Sequence, residues 1–327
     1  MPISRDPSDH AADRARAIGI VMAFGCAAVS AIQPVAIRFG ALRLDPLTFA
    51  AAATAVAALC TVPMLYARGE LHELVDHRYR ARLATLSMLG TAGTALTLIY
   101  SLRKIDAVAG VLLLQVEPIY SLMIATMFAG ERPSVLQIGA TLTIIAGIVS
   151  TIGTGAPFSP AYAAALILLT PLLWQCAHAL SLSVMPPLSP ICMTGARYSY
   201  AAVALLIVAA ARHPAPAQLA TLPAIIAIAG TGLCGFAGSL TWYVAINRLS
   251  LAWTTALVVP AVPMLTVVFA MILLGEHTSA RELGGIAISI AGVLALITST
   301  RGERIPRPRV PSAAAMQSRP PASVGPV

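Results

Sequence analysis

Residues 107–131 read AVAGVLLLQVEPIYSLMIATMFAGE, an apolar run long enough to cross a membrane as a helix, with an acid near its middle. Taking the span as Ala107 to Gly130, Glu117 lies ten residues from one end and thirteen from the other. That places it about 15 Å deep at ~1.5 Å per residue. A carboxylate at that depth costs on the order of a few kcal/mol, so it faces a bundle interior or a watery cavity and handles ions, protons or substrate. The alternative is a protonated acid that only bonds to a neighbouring helix. Pro118 removes an amide donor beside the acid and loosens nearby backbone polar groups, and Tyr120 lies three residues on over the same face.

The rest of the chain has the composition of a membrane protein. Hydrophobic residues make up 58% of its 327 residues and charged ones 10%, too few charges to solvate the surface of a soluble domain. The formal charge of +8 does not point to nucleic acid, because the arginines sit in the two tails and in short connections between apolar runs. Five scattered cysteines, Cys26, Cys60, Cys176, Cys192 and Cys234, behave as small hydrophobes and form neither a disulfide framework nor a metal site. His72-Glu73 and His77 resemble a zinc protease motif, but the histidines are five residues apart and cannot share one helical face. No metal cluster, nucleophile elbow or phosphate-binding loop stands out, so neither an enzyme nor a cofactor is expected.

Ten apolar runs follow in order. Residues 1–16 read as a polar, disordered tail and 17–40 as the first span, interrupted by Gln33 and Pro34. Gln33 either faces a cavity at a bend or bonds across helices. The alanine-rich second span, about 46–66, reads as scaffold. The third, about 83–102, carries Gly90 and Gly93, then Thr94, Thr97 and Ser101, whose hydroxyls bond backbone or line a path. The fifth, about 135–153, has Gly139 and Gly147, taken as one face. In the sixth, about 161–184, Trp174 and His178 lie one turn apart. That pair is either a ligand-stacking indole with a titratable imidazole or a histidine satisfied between helices. Arg197 in the seventh span, about 191–211, snorkels to the headgroups or fixes a positive charge for an anionic substrate or for Glu117. The eighth, about 224–246, holds Gly235, Gly238 and Trp242; the ninth, about 252–274, holds Pro260 and Pro263; the tenth runs from about 283 to 300. Residues 301–327 form a basic, proline-rich tail. With both tails inside, fourteen arginines fall on the inner side and six lysines or arginines on the outer, which supports cytoplasmic termini.

Sliding the chain against itself by 145 residues matches Gly90 to Gly235, Gly93 to Gly238, Pro118 to Pro263, Gly130-Glu131 to Gly275-Glu276, and Ala146-Gly147 to Ala291-Gly292. Each half holds five spans, an odd number, so the second half crosses the membrane in the opposite sense. The expected fold is an all-α integral membrane protein, ten transmembrane helices as two inverted five-helix repeats, residues 17–155 and 156–300. Such repeats enclose a midplane site that opens to either side in turn. Glu117 aligns with Val262, so shared architecture does not account for the acid.

These features resemble the EamA family of the drug/metabolite transporter superfamily, on the strength of Glu117-Pro118, Gly130-Glu131, Gly275-Glu276 and the late Ala-Gly pairs over about residues 17–300. The resemblance implies a ten-helix exporter of metabolites, amino acids or drugs in the bacterial inner membrane. Ala53 stands in the second span, where many relatives carry a basic residue. The expected activity is export of a small organic solute, with Glu117 exchanging protons in a central cavity. Tyr120, Trp174 and Trp242 would offer aromatic contact area, with Gln33, His178 and Arg197 as further candidates. Pro34, Pro118, Pro260 and Pro263 would bend the helices. Two other readings stay open: exchange of an anionic metabolite on Arg197, and a non-transporting scaffold subunit. Substrate, lipid and protons are the expected partners, and oligomeric state is undetermined.

Overall fold

The computed structural model describes residues 7–117, 119–120, 123–124, 134–152, 161–185, 187–212, 219–249 and 251–300, and among them all regular structure is helical. The helices are α1 (Pro7–Ala41), α2 (Pro46–Arg68), α3 (Arg80–Leu102), α4 (Ala107–Leu114), α5 (Val135–Ile152), α6 (Ala161–Leu182), α7 (Pro190–Ala210), α8 (Leu222–Arg248), α9 (Leu251–Val258), α10 (Ala261–Leu274) and α11 (Ala280–Thr300). Among the described residues, α1, α2, α3, α6, α7 and α8 are long and apolar enough to cross a membrane, and α5 and α10 are shorter apolar helices. Helix α1 starts at Pro7, inside the segment expected to be a disordered tail. Proline suits the first helical position, and Ala11, Ala12, Ala15 and Ala17 are strong helix formers, so the helix begins before the apolar run does.

Second and seventh spans begin with the same local chemistry. Asp45 caps α2 by accepting from the Thr48 amide at 2.9 Å, and Ser189 caps α7 by accepting from the Cys192 amide at 3.1 Å. Proline follows each cap, where its missing amide leaves nothing unsatisfied. Between α2 and α3, Gly69 ends α2 in the left-handed region (φ 66°), where a side chain would be strained. The Tyr200 hydroxyl donates to the Leu74 carbonyl at 2.6 Å, tying this connection to α7. On the same connection, hydrogen bonds from Arg78 hold the Asp76 carboxyl at about 2, below the usual carboxylate range.

Fourth and ninth spans are both broken at equivalent places. Helix α4 ends at Leu114, Gln115 and Val116 form a turn with 3₁₀-type bonds to Leu112 and Leu113, and Glu117 is helical again. In the second repeat α9 ends at Val258, and a turn at Val259 and Pro260 precedes α10. The cause is covalent: Pro263 has no amide to give the carbonyl of Val259, and Pro118, itself outside the described residues, has none for Leu114. Pro34 also sits inside a helix, yet α1 continues through it.

The two repeats interlock. Helix α1 packs on α8, α6 on α3, α2 on α7, and α5 on α11. Lipid tails are as apolar as leucine, so close backbone approach at small residues does the work of holding such helices together. A Cβ added at Gly147 would lie 2.6 Å from the Ser289 nitrogen, and one at Gly292 would lie 2.8 Å from the Ile144 nitrogen. Gly139 does not share that role; a Cβ there meets nothing within 4 Å. Eight residues turn a helix by about 80° beyond two full turns, so Gly139 and Gly147 fall on different faces.

Gly275 closes α10 in the left-handed region (φ 68°), as a Gly-Glu helix end should. Its neighbour Glu276 is not at an open water interface. Its Oε1 accepts from the Ala107 amide at 3.3 Å and lies 3.4 Å from Arg38 Nε, with the side chain only 15% exposed. The matching Gly130-Glu131 pair lies outside the described residues.

Candidate functional site

A cavity of about 200 Å³ opens where the broken spans meet the interlocked helices. Residues from α1, α2, α3, α6, α7, α8 and from the fourth and ninth spans line it, and none comes from α5 or α11. Repeat-related positions face it together: Gly90 with Gly235, Thr94 with Ser239, Leu114 with Val259, and Glu117 with Val262. The cavity therefore lies between the halves, and the two halves give it different chemistry.

On the wall from the first repeat, Glu117 presents its carboxyl beside the turn at Gln115. Gln175 Nε2, from α6, donates to Glu117 Oε1 at 2.8 Å. Among the described residues no ion pair joins Glu117 to a cation. Its partner is a neutral amide, which orients the carboxyl without fixing its charge.

The opposite wall is basic and aromatic. Arg197 is buried at 8% exposure. Its Nε donates to Thr91 Oγ1 at 2.7 Å and its Nη2 to the Gly90 carbonyl, so the guanidinium is anchored on α3 and does not snorkel. Gly90 lets α6 pack close at this point: a Cβ there would lie 2.5 Å from the Ala177 Cβ, while the Arg197 guanidinium would be in ordinary contact, with Nη2 at 3.5 Å. The glycines lie in a π-helical turn, Met88–Gly93, that widens α3 at this point. His178 stacks on Trp242 across helices, ring centroids 5.0 Å apart and 22° between planes. His178 Nδ1, Trp242 Nε1, Thr231 Oγ1 and Gln115 Oε1 belong to residues of the cavity wall and have no hydrogen-bond partner among the described residues. Buried polar groups are nearly always satisfied, so a small shift of the wall that bared these atoms would offer hydrogen bonds to the cavity's contents.

Of the residues singled out in the sequence, Gln33, Pro34, Glu117, Trp174, His178, Arg197 and Trp242 line this cavity. Tyr120 does not, although it lies one turn beyond Glu117. Pro260 and Pro263 shape the broken ninth span without lining the cavity. The scaffold-like second span does contribute wall, through Ala50, Ala53 and Thr54. Gln175 is a site residue that the sequence does not single out, because amides in spans usually bond between helices. Its signal was its place three residues before His178, on the same helical face. Thr94 both lines the cavity and donates to the Gly90 carbonyl at 3.0 Å, whereas Thr97 turns away to bond Thr170 Oγ1 at 2.7 Å.

Comparison with known proteins bears on the family and the fold. The model of the EamA-like transporter family matches residues 17–153 and again 161–298. A solved structure titled only "Crystal structure of protein" superposes with a TM-score of 0.64 at 16% identity, over 88% of this chain and all of that one, which is a likeness of fold. Among curated proteins, none matches the chain.

Proposed function

The chain belongs to the EamA-like transporter family, within the drug/metabolite transporters, and on that premise we propose that this membrane transporter exports a small organic solute in exchange for protons. In this reading ten spans form two inverted repeats, both termini are cytoplasmic, and the membrane is the bacterial inner membrane. Glu117 carries the coupling. The observation behind this is a carboxyl in a cavity lined from both repeats, hydrogen-bonded by the neutral Gln175 and, among the described residues, paired with no cation. Such a group can exchange a proton with whichever side the cavity faces. Substrate and proton then compete for one space, and the broken fourth and ninth spans let its walls move. Trp174 and the His178–Trp242 stack supply contact area, and Arg197 supplies a fixed positive charge.

The test is flux in liposomes, wild type beside Glu117→Gln, with amino acids and lipophilic cations under an imposed pH gradient. Gradient-driven flux that disappears in the variant supports coupling through Glu117. Flux that survives, or that needs only substrate on the far side, rules it out and favours a second reading. In that reading Arg197, anchored through Nε and Nη2, holds an anionic substrate for exchange, with Glu117 protonated throughout.

A further inference from the structure

We propose that Arg38, Asp106 and Glu276 form an ionic gate that closes the central cavity toward one face of the membrane; the repeat-related positions of Arg38 and Asp106 carry no charge. Arg38 Nη2 lies 2.5 Å from Asp106 Oδ1, and Arg38 Nε lies 3.4 Å from Glu276 Oε1. Arg38 Nη1 also donates to the carbonyls of Leu102 at 2.7 Å and Ile105 at 3.0 Å, at the end of α3. Glu276 Oε1 meanwhile accepts from the Ala107 amide at the start of α4. An acid at a helix N-terminus is favourably placed, so Glu276 binds both the arginine and the helix end.

Each element joined here also carries cavity wall: Arg38 and Asp106 sit within about two turns of it, and Glu276 lies beyond the far end of α10, fourteen residues past Val262. Arg38 follows Ile37, which lines the cavity. Asp106 precedes α4, whose Val111 and Leu114 line it, and Glu276 follows the ninth span, which contributes Val259 and Val262. Opening the cavity to this face means separating these ends, and the cluster opposes that separation.

The asymmetry argues against a purely structural role. The repeat places Leu251 opposite Asp106, and uncharged Leu182 and Ser183 at the matching distance from Arg38. Of the three charges, only Glu276 has a repeat counterpart, Glu131. The matching positions in the other half have neither an arginine nor an aspartate, so the shared pattern of spans does not itself require Arg38 and Asp106. A gate that holds this face shut biases the resting transporter toward opening on the other. Asp106 is 51% exposed and its pair with Arg38 is the more screened; Arg38 and Glu276, each 15% exposed, carry more of the hold.

The gate presumes the transport reading only in requiring a cavity that opens to either face, and its test needs no substrate. In a background with all five cysteines replaced by alanine, Ala50→Cys places a thiol in the cavity wall. A membrane-impermeant maleimide is then applied to each face in turn, using spheroplasts and inside-out vesicles. The expected result is that Asp106→Asn with Glu276→Gln raises the labelling rate from the Arg38 face by about tenfold, equivalent to ~1.4 kcal/mol. Labelling from the other face does not rise. In an Arg38→Met background the two acid substitutions change nothing further. An unchanged rate in the double variant overturns the gate. So does an equal rise from both faces, which is general loosening, and so does an effect of the acid substitutions that persists without Arg38. Loss of flux in Glu117→Gln has no bearing on these labelling rates, so the gate and the coupling mechanism fail separately.

Discussion

At the scale of single residues, the cavity's side chains differ in whether their polar atoms are already engaged. Trp242 stacks on His178 while its Nε1 has no protein partner. Trp242→Phe keeps a ring in the stack and removes only the N–H. Little stability should be lost, less than about 1 kcal/mol in a detergent melt, because no protein hydrogen bond is broken. Transport should lose substrate affinity by about five- to tenfold if that N–H meets the solute, read as a rise in KM. Arg197 is the opposite case. Its Nε and Nη2 are committed to Thr91 and Gly90, so Arg197→Ala strands the buried Thr91 hydroxyl and should destabilise the protein by about 1–3 kcal/mol. Arg197→Lys should recover only part of that stability, since an ammonium cannot reproduce the planar fork. Equal melting temperatures for the alanine and lysine variants would count against this anchoring.

At the scale of helices, two glycines on one helix have opposite consequences. Gly147 packs against the Ser289 backbone on α11, with an added Cβ 2.6 Å from that nitrogen. Backbone cannot swing aside as a side chain can, so Gly147→Ala should cost about 1–3 kcal/mol. Gly139 has open space, and Gly139→Ala should be neutral or stabilising by up to about 1 kcal/mol through helix propensity alone. Thermal melts of the two variants side by side check this, and a destabilised Gly139→Ala would point to a contact outside this chain. The broken spans obey a similarly local rule. Each lacks an amide at a proline, and each gap falls at a carbonyl, Leu114 or Val259, in the cavity wall.

At the scale of the molecule, the repeats are not two bodies side by side. Helix α1 of the first packs on α8 of the second, and α6 of the second on α3 of the first. Residues 1–155 expressed alone would leave these small-residue faces exposed. The half-chain should therefore be degraded or aggregated, while co-expression with residues 156–327 should restore a protease-resistant complex. A half-chain that is monodisperse and protease-resistant by itself would show that the interlock is dispensable.

The sequence by itself determined the class of the protein, because apolar run length, scarce charge and proline chemistry are local properties that no packing can reverse. It also exposed the repeat and the anomaly at Glu117, since both need only a comparison of the chain with itself. Tertiary structure alone decided which side chains share a wall. Gln175 and Glu117 are 58 residues apart, and Arg197 and Gly90 are 107 apart. Helical periodicity tells which face a residue occupies but not which helix that face meets. For the same reason Tyr120 looked equivalent to Glu117 and yet lies off the cavity wall, and Arg38, Asp106 and Glu276 looked like unrelated helix ends until the fold joined them.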